Sequence, residues 1–269
     1  MNKKNVKVSV IMSEYNTSEE NLKKAINSIL IQTYKNFEFI IVNDGSKTDL
    51  EKIIKEFNDN RIKIINNNGN KGFVYSLNNA IKHANGKYLV RMDTDDISTS
   101  DRIEKQVDFM KKHPEYAVVS SKTIEFSGSE EIGLLGESGE KKKNDILKGN
   151  IPIHAASIFL KDAIDDIGGY KDFNRAEDFV LWCELLLKGY RLYVTDEILY
   201  YYRVDPSDYK KRTLKNRKGE IIARLKYYPK LKAHPKYYIR ILKSIIAGIL
   251  PINLVRKYRE KKVLKVRNK

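Results

Sequence analysis

The 269-residue sequence is poor in several features that would define common classes of protein. Its single cysteine, Cys183, excludes a disulfide framework and a cysteine-based zinc site, and is typical of a reducing cytoplasm. Residues 1–7 are polar and basic and lead into only a strand's length of apolar residues, so no signal peptide is predicted. The charge-free run at 244–255 has 12 residues, against about 20 for a membrane-spanning helix.

Acidic side chains are scarce in one part of the chain only. Residues 1–208 hold 30 Lys/Arg and 33 Asp/Glu, whereas residues 209–269 hold 21 and 2. The net charge of +16 therefore belongs to the C-terminal part. We expect a near-neutral domain over 1–208 and a basic helical extension over 209–269. The extension contains no recognisable nucleic-acid-binding module, so its charge does not predict a nucleic-acid partner.

Strand and helix patterns alternate through the first part of the chain. Strands are predicted at 6–12, 37–43, 62–65 and 88–92, with amphipathic helices between them. This alternation predicts an α/β fold, with a mainly parallel central sheet flanked by helices.

The second half of that domain is less regular. The polar stretch at 126–150 is rich in glycine and lysine, and it predicts a loop or mobile insertion. Short strands are expected at 153–160, 191–194 and 199–202, and an amphipathic helix at 176–188.

Three carboxylates end the fourth predicted strand, in the order Asp93, Thr94, Asp95 and Asp96. They repel one another unless a cation offsets their charge, and their oxygen ligands suit Mn²⁺ or Mg²⁺ carrying a phosphate. In open α/β sheets, ligands bind at the carboxyl ends of the strands. The alternative is a solvated acidic loop that caps the next helix through Asp96 or Ser98.

Polar residues also follow the other strands. Asp44 could accept a hydrogen bond from the N3–H of uracil, and Tyr15 could stack on the base; the alternative is a turn and helix cap at 44–46. Lys71 and Gly72 precede a helix N-terminus, which is a ready phosphate site, although an ordinary glycine turn would look the same.

Glu177 and Asp178 open the helix predicted at 176–188. The helix dipole favours carboxylates there, so capping is one interpretation. The functional interpretation is a general base, because a sugar hydroxyl is a poor nucleophile until its proton is taken.

Three further side chains are ambiguous. His154 is either a substrate contact or a structural histidine, Trp182 either an acceptor platform or a core residue, and Arg203 either a diphosphate ligand or a solvated arginine.

Taken in order, these motifs resemble glycosyltransferase family 2 on the GT-A fold. The resemblance covers about residues 6–204 and is carried by VSVIMSEYN, QTYKNFEFIIVNDGS, NKG with SLNNA, ANGKYLVRMDTDD, IPIHAAS, GGY and AEDFVLW. It implies an inverting transferase that uses a nucleotide sugar, most often UDP-linked, with Mn²⁺ or Mg²⁺.

The resemblance also implies residue roles. The nucleotide site would contain Ser13, Glu14, Tyr15, Asn16, Asp44, Lys71, Gly72, Asp93, Thr94 and Arg203. Asp93 and Asp95 would form the D-x-D pair, with Asp95 as the direct metal ligand, and Asp178 would activate the acceptor. The sequence departs from the family where Ser13-Glu14 replaces the frequent Pro-Thr, and where Val204-Asp205 replaces a histidine found in many relatives.

The expected partners are a UDP-sugar and a saccharide acceptor, with polysaccharide or capsule assembly on a lipid carrier as the setting by resemblance. The run at 244–255 followed by the basic residues 256–269 predicts an interfacial anchor on anionic lipid at the cytoplasmic face of the cell membrane. The alternatives are a helix packed on the domain or an element that forms a homo-oligomer.

Two competing functions fit less well. A sugar nucleotidyltransferase would carry a glycine-rich basic loop after the first strand, where this chain has residues 13–16, Ser-Glu-Tyr-Asn. A non-enzymatic membrane-surface protein would leave the ordered carboxylates unexplained.

Overall fold

The computed structural model describes residues 7–205 and 214–249. The strands are β1 (Val8–Glu14), β2 (Phe37–Asn43), β3 (Ile62–Asn66), β4 (Tyr88–Arg91), β5 (Ile97–Ser98), β6 (Tyr116–Ser127), β7 (Glu130–Leu135), β8 (Gly139–Lys141), β9 (Ile158–Leu160) and β10 (Arg191–Arg203). The helices are α1 (Glu19–Leu30), α2 (Leu50–Phe57), α3 (Phe73–His83), α4 (Arg102–Lys112), α5 (Lys143–Lys148), α6 (Lys161–Asp166), α7 (Glu177–Leu187), α8 (Leu214–Lys230) and α9 (Ile239–Ile249).

Within the described residues the strands form one sheet in the order β3-β2-β1-β4-β9-β6-β10-β5, with β7 beside β6 and β8 beside β10. The first four strands in this order are parallel. Strand β9 is antiparallel to both β4 and β6, and β10 is parallel to β6. The predicted α/β fold is confirmed, but the sheet is parallel only in its first half and mixed beyond β4.

A hydrophobic core lies on each face of the sheet. In β1, Val10 and Met12 belong to one core and Ile11 to the other, because successive side chains of a strand point to opposite faces. One core lies under α1, α2 and α4, and the other under α3 and α7. The buried central strands explain the β-branched runs in the sequence.

The prediction of a loop at 126–150 is wrong. Strand β6 continues to Ser127, turns through Gly128 and returns as β7, and β8 and α5 follow. The segment is polar because β7 lies at the margin of the sheet, where one face is exposed. Two other boundaries also change: β9 is only three residues long, and the two strands expected at 191–202 are one irregular strand, β10.

Helix α8 contributes to the same core as α7. Ala223, Tyr227 and Tyr228 are fully buried and pack in the cluster that contains Leu181 and Trp182. The described part of the basic extension is therefore helical and packed on the sheet domain. The predicted boundary at 208/209 lies outside the described residues. Of the predicted anchor at 244–269, residues 244–249 belong to α9, where Ser244 is buried, and residues 250–269 lie outside the described residues.

Candidate active site

A cleft of about 1250 Å³ opens at the carboxyl ends of the parallel strands. Eight of the residues predicted from the sequence line it: Lys71, Gly72, Asp93, Asp95, His154, Glu177, Asp178 and Arg203. They come from five separate stretches of chain, so the sheet edge brings together side chains that are up to 132 positions apart.

The other predicted nucleotide-site residues lie on the neighbouring loops. Thr17 Oγ1 donates to Thr94 Oγ1 at 2.7 Å, which joins the loop after β1 to the loop after β4. Tyr15, with 51% of its surface exposed, stands in solvent where a flat ligand could stack on it. Asn16 adopts a left-handed conformation, and its backbone N–H donates to Ser46 Oγ at 2.9 Å.

Glu14 is fully buried at the end of β1, next to Ser13. Its Oε1 accepts from the backbone N–H of Thr17 at 3.0 Å and from Ser46 Oγ at 3.2 Å, whereas Oε2 has no hydrogen-bond partner in the described residues. Burial raises the pKa of this carboxyl. Glu14 therefore joins the β1 and β2 loops from inside the protein.

Asp44 is also buried, and both of its oxygens accept hydrogen bonds. Oδ1 accepts from Asn67 Nδ2 and from the backbone N–H of Lys71, and Oδ2 accepts from the backbone N–H of Gly72, each at 2.8 Å. Gly72 is the N-cap of α3 and has a φ of 94°. Asp44 thus fixes the turn that presents Lys71 and the N-terminus of α3 to the cleft, and it does not cap α2, whose N-cap is Asp49.

Two arginines, one at the end of β4 and the other at the end of β10, flank the acidic turn after β4. Asp93 forms an ion pair with Arg91, which is buried in the cleft wall over Phe73. Arg203 donates from its backbone N–H to Asp96 Oδ1 at 2.7 Å and from Nε to the carbonyl oxygen of Asp95 at 2.8 Å. The charge of the three carboxylates is therefore partly offset by protein side chains.

Each carboxylate of this turn has a different environment. Asp95 lines the cleft, and burial and the neighbouring Asp93 raise its pKa to about 6. Asp96 is fully buried, and burial raises its pKa. The helix-cap alternative for Asp96 and Ser98 is wrong, because α4 begins after Asp101.

The residues at the turn fit a divalent metal that is coordinated partly by carboxylates of the protein and partly by phosphate oxygens of a bound nucleotide. No cluster of three or more His, Cys, Asp or Glu side chains able to hold a metal occurs in ranges 7–205 and 214–249. Asp95 and Asp93 carry carboxylate oxygens, which are the ligand type that Mg²⁺ and Mn²⁺ prefer. Mg²⁺ commonly binds through one or two carboxylates plus substrate phosphates.

Asp178 lies across the cleft, in the first turn of α7. Its Oδ1 accepts from the backbone N–H of Phe179 at 2.6 Å, while the N-cap of the helix, Ala176, makes no side-chain capping bond. Burial, and then the charge of Glu177, raise the pKa of Asp178 to about 6. A carboxylate with a raised pKa facing a cleft has the properties of a general base.

His154 and Trp182 differ in whether their side chains reach the cleft. His154 lines the cleft, its Nε2 lies 2.7 Å from the hydroxyl of Tyr170, and burial lowers its pKa. Trp182 is fully buried and stacks on Phe159 with ring centroids 5.9 Å apart. The prediction of Trp182 as an acceptor platform is wrong, because its side chain is enclosed in the core.

Sequence reasoning missed Arg91 as a cleft residue. The available signal was its position two residues before Asp93, since alternate residues of a strand share a face. It also missed Tyr170, whose partner His154 is 16 positions away. No local pattern predicts that contact.

Comparisons with known proteins agree with this arrangement. The sequence profile described as "Glycosyl transferase family 2" matches residues 9–168. EpsE of Bacillus subtilis, which its name assigns to the glycosyltransferases, is 34% identical over 267 residues, covering 96% of this chain and 95% of that protein. The Escherichia coli protein named as the UDP-Glc:alpha-D-GlcNAc-diphosphoundecaprenol beta-1,3-glucosyltransferase WfaP is 32% identical, covering 73% of this chain and 77% of its own length.

Two solved structures share the fold. TarS of S. aureus, residues 1–349 in complex with UDP, superposes with a TM-score of 0.65 at 22% identity, covering 89% of this chain and 70% of that one. The mannosyltransferase PcManGT of Pyrobaculum calidifontis, in complex with GDP-Man and Mn²⁺, gives a TM-score of 0.68 at 16% identity, covering 96% and 80%. Among residues 7–205 and 214–249, no helix has the length and apolarity needed to cross a membrane.

The profile match, the full-length relative and the strand-edge cleft support one assignment. The chain belongs to glycosyl transferase family 2, has the GT-A fold, and is a glycosyltransferase.

Proposed function

We propose that the chain transfers a sugar, with inversion, from a UDP-sugar to a saccharide acceptor on a lipid carrier during cell-surface polysaccharide synthesis. One observation carries the proposal: Asp95 and Asp178 line the same cleft, one at the strand edge and the other on a helix. This arrangement would separate a metal-phosphate site at Asp95 from a basic carboxylate at Asp178, as the proposed reaction requires.

The lipid-linked acceptor is proposed from relatives. WfaP and the E. coli protein WfgD, which is 29% identical over 66% of this chain and 69% of its own length, are both named for a diphosphoundecaprenol-linked acceptor. AmsE of Erwinia amylovora is named for amylovoran biosynthesis and is 30% identical over 68% of this chain and 70% of its own length. These names support a role in polysaccharide synthesis and leave the transferred sugar open.

The donor would bind on the strand-end loops. Tyr15 is exposed for stacking on the base, and Asp44 lies buried behind the turn at Lys71. The diphosphate would lie between the N-terminus of α3 and the acidic turn, where Lys71 and the helix dipole favour negative charge. Arg203 is a further cation that lines the cleft.

Asp95, with Asp93, would hold Mn²⁺ or Mg²⁺ together with the diphosphate. When bound, the metal would neutralise charge on the departing nucleoside diphosphate. The residues of the chain would do the rest: Lys71 and Arg203 would bind phosphate oxygens, and Asp178 would take the proton from the acceptor hydroxyl as that oxygen attacks the anomeric carbon.

The basic extension would keep the enzyme at the cytoplasmic face of the membrane. Residues 209–269 carry 21 of the 51 Lys/Arg, and anionic lipid attracts such clusters. A location beside the membrane would bring the cleft to a lipid-linked acceptor.

The test is an assay of metal-dependent release of UDP from a panel of UDP-sugars, with and without a lipid diphosphate-linked saccharide. We expect slow hydrolysis without the acceptor, and faster release together with a glycosylated product when it is present. Release of pyrophosphate from UTP and a sugar phosphate would instead indicate a nucleotidyltransferase. No turnover with any UDP-sugar, in protein that binds UDP, would contradict the proposed donor reaction.

A further inference from the structure

Helix α8 packs behind the segment that leads to the cleft carboxylates of α7. It lies outside the cleft and outside the residues that the family profile matches. Several of its contacts are with residues 171–179. The inference below rests on the proposed role of Asp178 as the base.

The segment just before α7 has an unfavourable backbone. Asn174 has a φ of 46° and Arg175 a φ of 73°, so two successive residues other than glycine occupy the left-handed region. Such conformations persist only where the surrounding structure holds them, and they are common at functional sites. Glu177 and Asp178 follow directly.

The backbone of α8 comes closest to this segment at Gly219. Gly219 is buried, and a Cβ atom added there would collide with the backbone carbonyl oxygens of Phe173 and Asn174. Only glycine lets the backbone of the helix come this near to the strained segment. Glycine lowers helix stability by about 1 kcal/mol relative to alanine, so its place in α8 needs such a reason.

Aromatic and charged side chains reinforce the contact. Phe173 packs edge-on against Tyr227 with ring centroids 5.9 Å apart, and Lys226 Nζ lies 5.1 Å from the centre of the Phe173 ring. Lys171 forms an ion pair with Glu184 at 3.0 Å, and the Tyr227 hydroxyl donates to the same carboxylate. Phe173 is thus held directly by α8, and Lys171 is linked to α8 through Glu184 of α7 and Tyr227.

An ion pair of α8, between the buried Arg224 and the partly exposed Glu220, lies beside the first turn of α7. Arg224 Nη2 donates to Glu220 Oε1 at 2.9 Å and Arg224 Nη1 to the Tyr228 hydroxyl at 2.8 Å. The guanidinium lies 4.9 Å from the centre of the Phe179 ring, next to Asp178 in sequence.

We propose that α8 is a positioning element of the active site, which fixes residues 171–176 through Gly219 and sets the charge around Asp178 through the Arg224–Glu220 pair. The basic extension then acts on catalysis as well as on location. Gly219, Arg224 and Glu220 are positioning residues, because they act through Asp178 and touch no substrate.

The charged groups around Asp178 predict an effect on the pH dependence of kcat that distinguishes this proposal from a structural defect. The groups that act on it are Glu177 and Cys183 on α7, Tyr170 before α7, and Arg224 and Glu220 on α8. Arg224 lowers the pKa of Asp178 and Glu220 raises it. Removing either partner breaks the same ion pair. The two changes should nevertheless move the low-pH side of the profile of kcat against pH, its acid limb, in opposite directions.

The first experiment is Gly219→Ala in the full chain, assayed at saturating and limiting UDP-sugar. We expect kcat to fall by about 10- to 100-fold, since small misplacement of a reacting group has effects of this size. The KM for the UDP-sugar should stay within about twofold, because Lys71, Asp95 and Arg203, which would bind the donor, lie outside residues 171–176. Unchanged kcat in folded protein would overturn the role of Gly219.

The second experiment compares Arg224→Met with Glu220→Gln by the pH dependence of kcat at saturating donor. The acid limb should move to higher pH in the first variant and to lower pH in the second. Lys218→Met, which removes an exposed positive charge from the same helix, is the matched control and should leave the limb in place.

Shifts in the same direction, or no shift in either variant, would overturn the proposal, since a purely structural defect cannot reverse sign between the two. Failure of the proposed function would differ: Asp178→Asn would then retain turnover, and the α8 variants would have no base to act on.

Discussion

Asp178 lines the cleft and has a pKa of about 6. These two properties predict how turnover depends on pH and how a substitution of Asp178 changes the stability of the protein. Asp178→Asn keeps the shape and removes the basicity, so turnover should fall by about 10² to 10⁴ with UDP-sugar affinity nearly unchanged. In the wild type, kcat should rise with pH through about 6, because only the ionised carboxyl takes a proton. Steady-state kinetics measure turnover and its pH dependence, and calorimetry measures the affinity for the UDP-sugar.

The same variant should be more stable than wild type at pH 7.5. The folded pKa lies above the unfolded value of about 3.9, so the stabilising contribution is full below pH 3.9 and is lost as pH rises through 6. Thermal unfolding should therefore occur at a higher temperature in the variant. If Asp178→Asn kept near-normal turnover and Glu177→Gln lost it, the general base would be Glu177.

A second residue-scale prediction concerns Asp95. The affinity for UDP should rise when Mn²⁺ or Mg²⁺ is added, and Asp95→Ala should abolish that rise because a metal ligand is lost. Isothermal titration calorimetry with and without metal measures it. Asp108→Ala removes an exposed carboxylate elsewhere and is the control. If Asp95→Ala binds UDP and metal as wild type does, the metal site lies elsewhere.

At the scale of elements, Asp44 joins the end of β2 to the beginning of α3. Asp44→Ala should weaken UDP binding by about 1.5–3 kcal/mol, the range for a charge-assisted hydrogen bond. Asp49→Ala removes the N-cap of α2 on the same loop and should reduce stability by about 1 kcal/mol while UDP affinity is kept.

Nucleotide preference separates two roles of Asp44. If it pairs with uracil, Asp44→Ala should lose more affinity for UDP than for CDP. Equal losses would assign it only to holding the Lys71–Gly72 turn, which its two backbone hydrogen bonds already support. Unchanged UDP affinity, with the fold intact by circular dichroism, would exclude both roles.

At the scale of the whole molecule, we expect the stability of the sheet domain to depend on the extension. A chain ending at residue 205 loses Tyr227 and Tyr228 from the core around Trp182, and each fully buried aromatic contributes about 1.5–3 kcal/mol. We expect it to aggregate or to unfold well below the temperature of the full chain, as measured by circular dichroism. A chain ending at 249 is the control and should unfold cooperatively. A stable, active 1–205 chain would show that the domain is independent.

Membrane association tests the remainder of the extension. Full-length protein should co-sediment with anionic vesicles, lose binding as salt rises, and ignore neutral vesicles. A chain ending at 249 should bind more weakly, because it lacks the basic residues 256–269. Absence of binding at low salt would leave the extension with its packing role alone.

The sequence alone determined the strand–helix alternation, the placement of Asp44, Asp93 and Asp95 after strands, and the family. These depend on local periodicity and on motif order, which are properties of neighbouring residues. The same reasoning misread 126–150 as a loop, because polar margin strands lack a continuous apolar pattern. The sequence predicted that a cation offsets the charge of the carboxylates, and the structure shows that Arg91 and Arg203 supply part of that positive charge.

Only the tertiary structure decided which side chains face the cleft and which face the core. Trp182 and Asp178 lie one helical turn apart, yet one is enclosed by Phe159 and the other is open to ligands. Gly219 approaches Phe173 across 46 positions of sequence. Contacts of this kind arise when elements distant in sequence pack together, and the free energy that selects them comes from burial shared between those elements, which no single stretch of sequence contains.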